Sequence, residues 1–240
     1  MAGLLSIELD DRLAVVTLQR PEKRNALSID LRVELAAAFT GIAEDDGVSC
    51  AILTGAGSAF CSGMDTTQFG GDRANRERLV HSSTVAFSSV ARFPKPLVGA
   101  LNGPAIAGGF VLALHCDLRI ASETASFGFA ELPRGIPPSY AAALAGMPEP
   151  LARELCLTGR MLDAPEALER GVVAEVCPFE DVVPRARELA RSIAARPHEA
   201  LLEVKRRILL AADHLRGPLF ADEERVFRAA LLGEEPDPAA

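Results

Sequence analysis

Three short stretches hold the residues best suited to chemistry: "FCSGMD" from Phe60 to Asp65, "NGPAIAGGFVLALHCD" from Asn102 to Asp117, and "SFGFAELPRGIPPSY" from Ser126 to Tyr140. The first reads as a tight glycine turn after a strand, which exposes the Met64 amide. The second sets Gly108 and Gly109 in front of an apolar run. The first amides of a helix have no internal partner and, backed by the helix dipole, attract negative charge. Taken alone, such a glycine pair reads as close helix packing. With the Met64 turn beside it, it reads as half of an oxyanion hole, in which each backbone donor contributes ~3 kcal/mol to a transition state. A hole of this kind suits an enolate or a tetrahedral oxyanion.

An enolate needs a base, and Glu131 is the best-placed carboxylate. If its stretch is extended, Phe127, Phe129 and Glu131 share a face, and apolar surroundings raise a carboxyl pKa toward the range useful for proton transfer. The alternative is a surface glutamate at a strand end. No G-x-S-x-G elbow is present, and no serine or cysteine has an evident histidine partner, so a covalent acyl intermediate is not indicated. The glycine pair also lacks the lysine and Ser/Thr of a phosphate-binding P-loop.

These residues need a rigid frame. Two β-branched runs within "LSIELDDRLAVVTLQ" meet at Asp10-Asp11 and predict a hairpin. Ser28 reads as the N-cap of a helix through "IDLRVELAAAFTGIAED", with Leu31, Leu35, Phe39 and Ile42 at helical spacing. "SCAILTG", "PLVGALNG" and "DLRIAS" read as buried strands. Between Gly55 and about Arg76 lies a loop rich in Gly, Ser, Asp and Thr, followed by a helix carrying Leu79, Ser83, Ala86, Phe87 and Val90 on one face. From Pro150 onward the pattern is helical, in four pieces ending with "HEALLEVKRRILLAAD", and the final "GEEPDPAA" reads as a loose tail. The expected organisation is a core over residues 1–190 and a C-terminal helical region over residues 191–240.

Composition narrows the function. A net charge of -8 argues against a nucleic-acid footprint, which depends on neutralising phosphates. It leaves room for a small anionic ligand at the basic turn Arg20, Lys23 and Arg24, although charge alone reads that turn as a solvated one. The five cysteines are dispersed, with no zinc-ligand spacing, which predicts no metal site and a reducing compartment. No apolar window approaches ~20 residues and the N-terminal residues do not read as a signal peptide, so no membrane partner and a cytoplasmic location are expected.

The blocks "LQRPEKRNALS", "GAGSAFCSGMD", "NGPAIAGGFVLALHCDLRIAS", "SFGFAELPRGIPP" and "LCLTGRMLDAPEALERGVVAEV" resemble, in order and spacing, those of the crotonase (enoyl-CoA hydratase/isomerase) superfamily, over roughly residues 5–210. The resemblance implies an α/β fold, a spiral of ββα units with a C-terminal helical region, assembled as a homotrimer or a dimer of trimers. It implies an acyl-CoA substrate, with coenzyme A entering as part of the thioester and no separate cofactor. The thioester oxygen would lie between the amides of Met64 and Gly108. Contacts to coenzyme A would fall on Arg24, Ala26, Ser62, Asp65 and Thr66, which assigns the basic turn to the phosphates.

Hydratases of this superfamily carry one glutamate three residues after the oxyanion-hole glycine and a second at the position of Glu131. Here the first position is Val111. The single-glutamate pattern resembles the Δ3,Δ2-enoyl-CoA isomerases, in which one carboxylate moves a proton from C2 to C4. Alternatives are a hydratase that recruits another acid, a carboxymethylproline-synthase-like former of C–C bonds, and an inactive acyl-CoA-binding scaffold. Pro138, Ser139 and Tyr140 replace a glycine-rich turn and are expected to shape the pocket, Tyr140 by packing rather than as a proton donor. The chain also lacks the usual final motif of the superfamily, which puts coenzyme A contacts from that end in question.

Overall fold

The computed structural model describes residues 3–233. Residues 234–240, most of the expected tail, lie outside them. Strands β1 (Leu5–Asp10) and β2 (Leu13–Leu18) form the expected hairpin, pairing Asp10 with Leu13 around a left-handed Asp11. Helix α1 (Ile29–Glu44) begins at Ser28, whose Oγ accepts Leu31 N–H, and buries Leu31, Leu35, Phe39 and Ile42 as its spacing requires. Then follow β3 (Cys50–Gly55), α2 (Arg73–Ala91), β4 (Leu97–Leu101), β5 (Ala105–Ile106), α3 (Gly108–His115), β6 (Leu118–Ser122) and β7 (Ser126–Gly128). The C-terminal part contains α4 (Tyr140–Gly146), α5 (Glu149–Thr158), β8 (Leu162–Asp163), α6 (Ala164–Glu169), β9 (Glu175–Cys177), α7 (Val182–Ala194) and α8 (His198–Leu232).

Six strands form one sheet in the order β1-β2-β3-β4-β6-β9, parallel throughout except for the first hairpin. Strands β3 and β4 are buried along their whole length, as an apolar parallel strand covered on both faces must be. One face packs on α1, α2 and α3. The other receives α7, whose Val182, Ala186, Ala190 and Ala194 lie against Leu13, Ile52, Val98 and Ile120. The small side chains on α7 let the helix approach the strands closely. Strands β5, β7 and β8 form a second, smaller sheet that carries the glycine pair and the Glu131 stretch.

Several elements differ from the reading of the sequence, and the stretch read as helical from Pro150 onward also holds strands β8 and β9, which the two sheets recruit as edge strands. Helix α2 starts at Arg73, earlier than its apolar period suggests, because Asp72 caps it by accepting Asn75 N–H at 2.8 Å. The final helix does not stop near Asp213. It runs through Gly217 and Pro218 to Leu232, held by Phe220 against the core and by buried Ala229 and Leu232. Tertiary packing there outweighs the one backbone donor that proline removes. Strand β7 ends at Gly128, so Glu131 is not extended: it adopts a helical backbone at the start of a short 3-10 turn, Leu132–Arg134. Phe127 and Phe129 turn into the core against Phe110, with ring centroids 5.7 and 5.2 Å away.

Candidate active site

The basic turn is built around Asn25, a residue the sequence reading passed over. Its backbone is left-handed, as is that of Arg24, and its buried amide group accepts Arg20 N–H and donates to the carbonyls of Ala56 and Ala59. Arg20 does not face outward for a phosphate. Its guanidinium pairs with Asp65 at 3.0 Å and also donates to Ala26 C=O, so the turn's exposed cationic residues are Lys23 and Arg24. Burial by itself would raise the Asp65 pKa, but hydrogen bonds from Thr67 and Arg20 outweigh it and hold the carboxyl below its ordinary range. The Asp65 side chain is therefore committed to fixing the turn.

This turn is laced to "FCSGMD" by backbone hydrogen bonds. Ser62 N–H donates to Arg24 C=O, Leu27 N–H to Gly63 C=O, and Asp65 N–H to Leu27 C=O. The last two make Leu27 and Met64 partners in a parallel bridge that uses the groups on either side of Met64. Backbone groups alternate in direction along an extended segment, so the Met64 N–H points away from Leu27.

What lies on that side is the glycine pair. Gly63, with φ +89°, packs so tightly on the second turn that an added Cβ would lie 2.9 Å from Ile106 O and 3.2 Å from Gly108 N. Gly109 rests directly on the first turn: a Cβ there would fall 2.1 Å from Cys61 O. Ala107, with φ +52° and ψ −123°, holds the strained backbone that opens α3. Its N–H is fixed to Gly128 C=O at 2.8 Å, and the first helical bond is Val111 N–H to Ala107 C=O. Gly108, as the first helical residue, keeps an N–H without an intrahelical acceptor. Phe87 of α2 flanks it, its Cζ lying 3.1 Å from a Cβ placed on Gly108.

The bond from Ala107 to Gly128 also brings the Glu131 turn alongside, because Glu131 follows Gly128 by three residues. One Glu131 oxygen, Oε2, is buried with no hydrogen-bond partner. Burial pushes the carboxyl up from 4.5 to about 7, against smaller opposing effects of a backbone hydrogen bond and the Arg134 charge. A half-buried carboxyl with a buried, unpartnered oxygen and a pKa near neutrality has the properties of a proton acceptor. Val111 is buried on α3 just after the glycine pair. Pro138, Ser139 and Tyr140 follow the Glu131 turn and are partly buried, and the Tyr140 ring packs on the core with its hydroxyl accepting from Arg153 at 3.4 Å. Ser62 and Ala26 are partly buried, and Thr66 is exposed at the start of the next 3-10 turn.

Met64, Gly108, Ser62, Asp65, Thr66, Arg24 and Ala26 thus lie on interlocked turns, with the Glu131 turn joined through Gly128. An α/β spiral closing two glycine turns around one point, with a carboxyl nearby, defines the crotonase class of folds. Known proteins agree with that architecture. The family model described as enoyl-CoA hydratase/isomerase matches residues 8–230. Enoyl-CoA hydratase EchA19 of Mycobacterium tuberculosis is 36% identical over 209 residues, covering 84% of this chain and 79% of that protein. The crystal structure of an enoyl-CoA hydratase/isomerase from Mycobacterium paratuberculosis superposes with a TM-score of 0.85 at 26% identity, covering 97% of this chain and 96% of that one. A monofunctional enoyl CoA isomerase from M. smegmatis superposes at 0.74 with 29% identity, covering 88% and 95%. The chain belongs to the enoyl-CoA hydratase/isomerase family, within the crotonase superfamily, and is an enzyme of that family.

Proposed function

We propose that the protein isomerises 3-enoyl-CoA thioesters to 2-enoyl-CoA thioesters with Glu131 as the only proton carrier. The carboxylate removes a proton from C2, and the electron pair moves onto the thioester oxygen between the Met64 and Gly108 amides. The dienolate then takes the same proton back from Glu131 at C4, and the double bond moves from C3–C4 to C2–C3. One carboxyl is sufficient because it gives back what it takes.

The observation that carries this reading is the pairing of Glu131 with Val111. Glu131 has a buried, unpartnered oxygen and a pKa lifted to about 7, while the aliphatic Val111 stands at the position of a hydratase's other glutamate. Addition of water needs a group to orient and deprotonate the water, which valine cannot do. Hydration is the second reading, favoured by the hydratase names of relatives such as EchA19 and a putative enoyl-CoA hydratase of Thermus thermophilus that is 36% identical over 205 residues. The two are separated by supplying a 3-enoyl-CoA and crotonyl-CoA in parallel. Conversion of the first with little loss of crotonyl absorbance supports isomerisation, and rapid loss of that absorbance supports hydration.

Coenzyme A would lie along Arg24, Ala26, Ser62 and Thr66, with Asp65 holding their turn from behind. The proposal includes a homotrimer or a dimer of trimers, supported by the exposed Val204, Ile208 and Leu215 of α8. It also includes a reducing, cytoplasmic setting, supported by cysteines that are all free thiols.

A further inference from the structure

Helix α8 passes the N-terminus of α4 at Glu223. There the Glu223 carboxylate accepts Ser139 Oγ–H at 2.6 Å through Oε2 and Ala141 N–H at 2.9 Å through Oε1. Ser139 is itself the N-cap of α4, its Oγ accepting Ala142 N–H at 3.1 Å. Between Ser139 and the Glu131 turn stand only Pro137 and Pro138, whose rings lock φ and leave little freedom to the connection. The turn closes on Glu131 itself, with Arg134 N–H and Ile136 N–H both donating to Glu131 C=O at 2.9 and 3.3 Å. Burial, and after it the charges of Glu223 and Glu131, raise the Cys156 thiol of α5 to about 12.

We propose that Glu223 is a positioning residue: by clasping Ser139 and Ala141 it anchors the Pro137–Pro138 strut and holds the Glu131 turn so that the carboxyl oxygen Oε2 stays buried. This rests on the reading of Glu131 as the base. The clasp couples α8 to the reaction, because a turn held at only one end lets water reach the carboxyl. Burial lifts the Glu131 pKa, so hydration lowers it and also blurs the aim of the carboxylate. A second tether of α8, Thr84 Oγ1–H to Glu224 Oε1 at 2.9 Å, joins it to α2 instead and provides the control.

The test is the pH profile of C2-proton exchange on a 3-enoyl-CoA in D2O, measured on the full-length wild type, Glu223→Ala, Glu223→Gln, Ser139→Ala and Glu224→Gln. The clasp predicts that Glu223→Ala moves the acid-side midpoint down by about one pH unit and lowers kcat roughly tenfold. Ser139→Ala gives a smaller shift in the same direction and serves if Glu223→Ala does not fold. Glu223→Gln recovers most of the profile, since its amide can accept from Ala141 and donate to Ser139. Glu224→Gln leaves the midpoint in place. An unmoved midpoint in both Glu223→Ala and Ser139→Ala, or an equal shift in Glu224→Gln, overturns the clasp. Failure of Glu223→Gln to recover the profile overturns the positioning role in favour of proton handling by Glu223 itself. Failure of the underlying reading is distinct: Glu131→Gln would then exchange like wild type.

Discussion

Gly63 and Gly108, far apart in sequence, meet so closely that a single methyl on Gly63 would stand 3.2 Å from the Gly108 nitrogen. This contact brings the amide following Gly63 and the amide of Gly108 to one place. It also makes unequal demands on the glycines of the two turns.

The Gly109→Ala substitution should be the most damaging of them. Its Cβ would lie 2.1 Å from the Cys61 carbonyl, a backbone atom that cannot yield without separating the turns. Loss of more than about 3 kcal/mol in urea unfolding, with loss of activity, is expected. Gly108→Ala meets the end of the Phe87 ring at 3.1 Å, which can swing aside, so its stability should fall by only about 1 kcal/mol.

Activity should rise with pH through a midpoint near the raised Glu131 value of about 7, because only the carboxylate can accept a proton. Stability carries the opposite sign. Between about 4.5 and 7 the folded protein retains a Glu131 proton that the unfolded chain has released, so folding weakens as pH rises across that window. The raised carboxyl of Glu223 acts in the same direction, through burial opposed by its hydrogen bonds. Melting temperatures across this range should fall less steeply for Glu131→Gln than for wild type.

Replacing Arg20 with alanine leaves the carboxylate of Asp65 buried and without its cationic partner. A loss of about 3 kcal/mol is expected in thermal or urea unfolding, with Thr67 retaining part of the carboxylate's hydrogen bonding. The Asp65 contribution is present above its unfolded pKa of 3.8 and is lost as pH falls through its depressed folded value, so the variant should lose the part of that acid sensitivity that Arg20 supplies and keep the part from Thr67. Weakened coenzyme A binding should accompany the loss, since the Lys23–Ala26 turn is held from this side.

The frame of the site was legible because it rests on local signals. The Asp10-Asp11 hairpin, the Ser28 cap and the apolar face of α1 follow from spacing and capping chemistry that act within a few residues. Each glycine turn was legible for the same reason, although the contact that pairs them joins residues far apart in the chain. Less legible were features fixed by partners distant in the chain. Arg20 reads as a basic surface residue until Asp65 is seen beside it, and Asn25 gives no sign that its amide reaches Ala56 and Ala59. The backbone of Glu131 could not be read from alternation, because the strand ends at Gly128, where β5 ends and pairing with β8 has already stopped at Phe127. Glu223 lies on a part of α8 that Gly217 and Pro218 conceal as helix.

Val111→Glu tests the division between isomerisation and hydration from the other side. It restores a carboxyl at the hydratase position on α3, close to the glycine pair. Crotonyl-CoA hydration should increase by at least tenfold, with stability reduced because a carboxyl enters a site that is 8% exposed. Unchanged hydration in a folded variant would mean that Val111 is not what limits that reaction.

The most direct measurement is exchange of the C2 proton of a 3-enoyl-CoA in D2O, comparing wild type with Glu131→Gln at pH 8. With Glu131 as the proton carrier, wild type exchanges and isomerises, and the variant loses both by about 10²–10⁴-fold while still binding the thioester. Equal exchange in the two proteins would contradict the account.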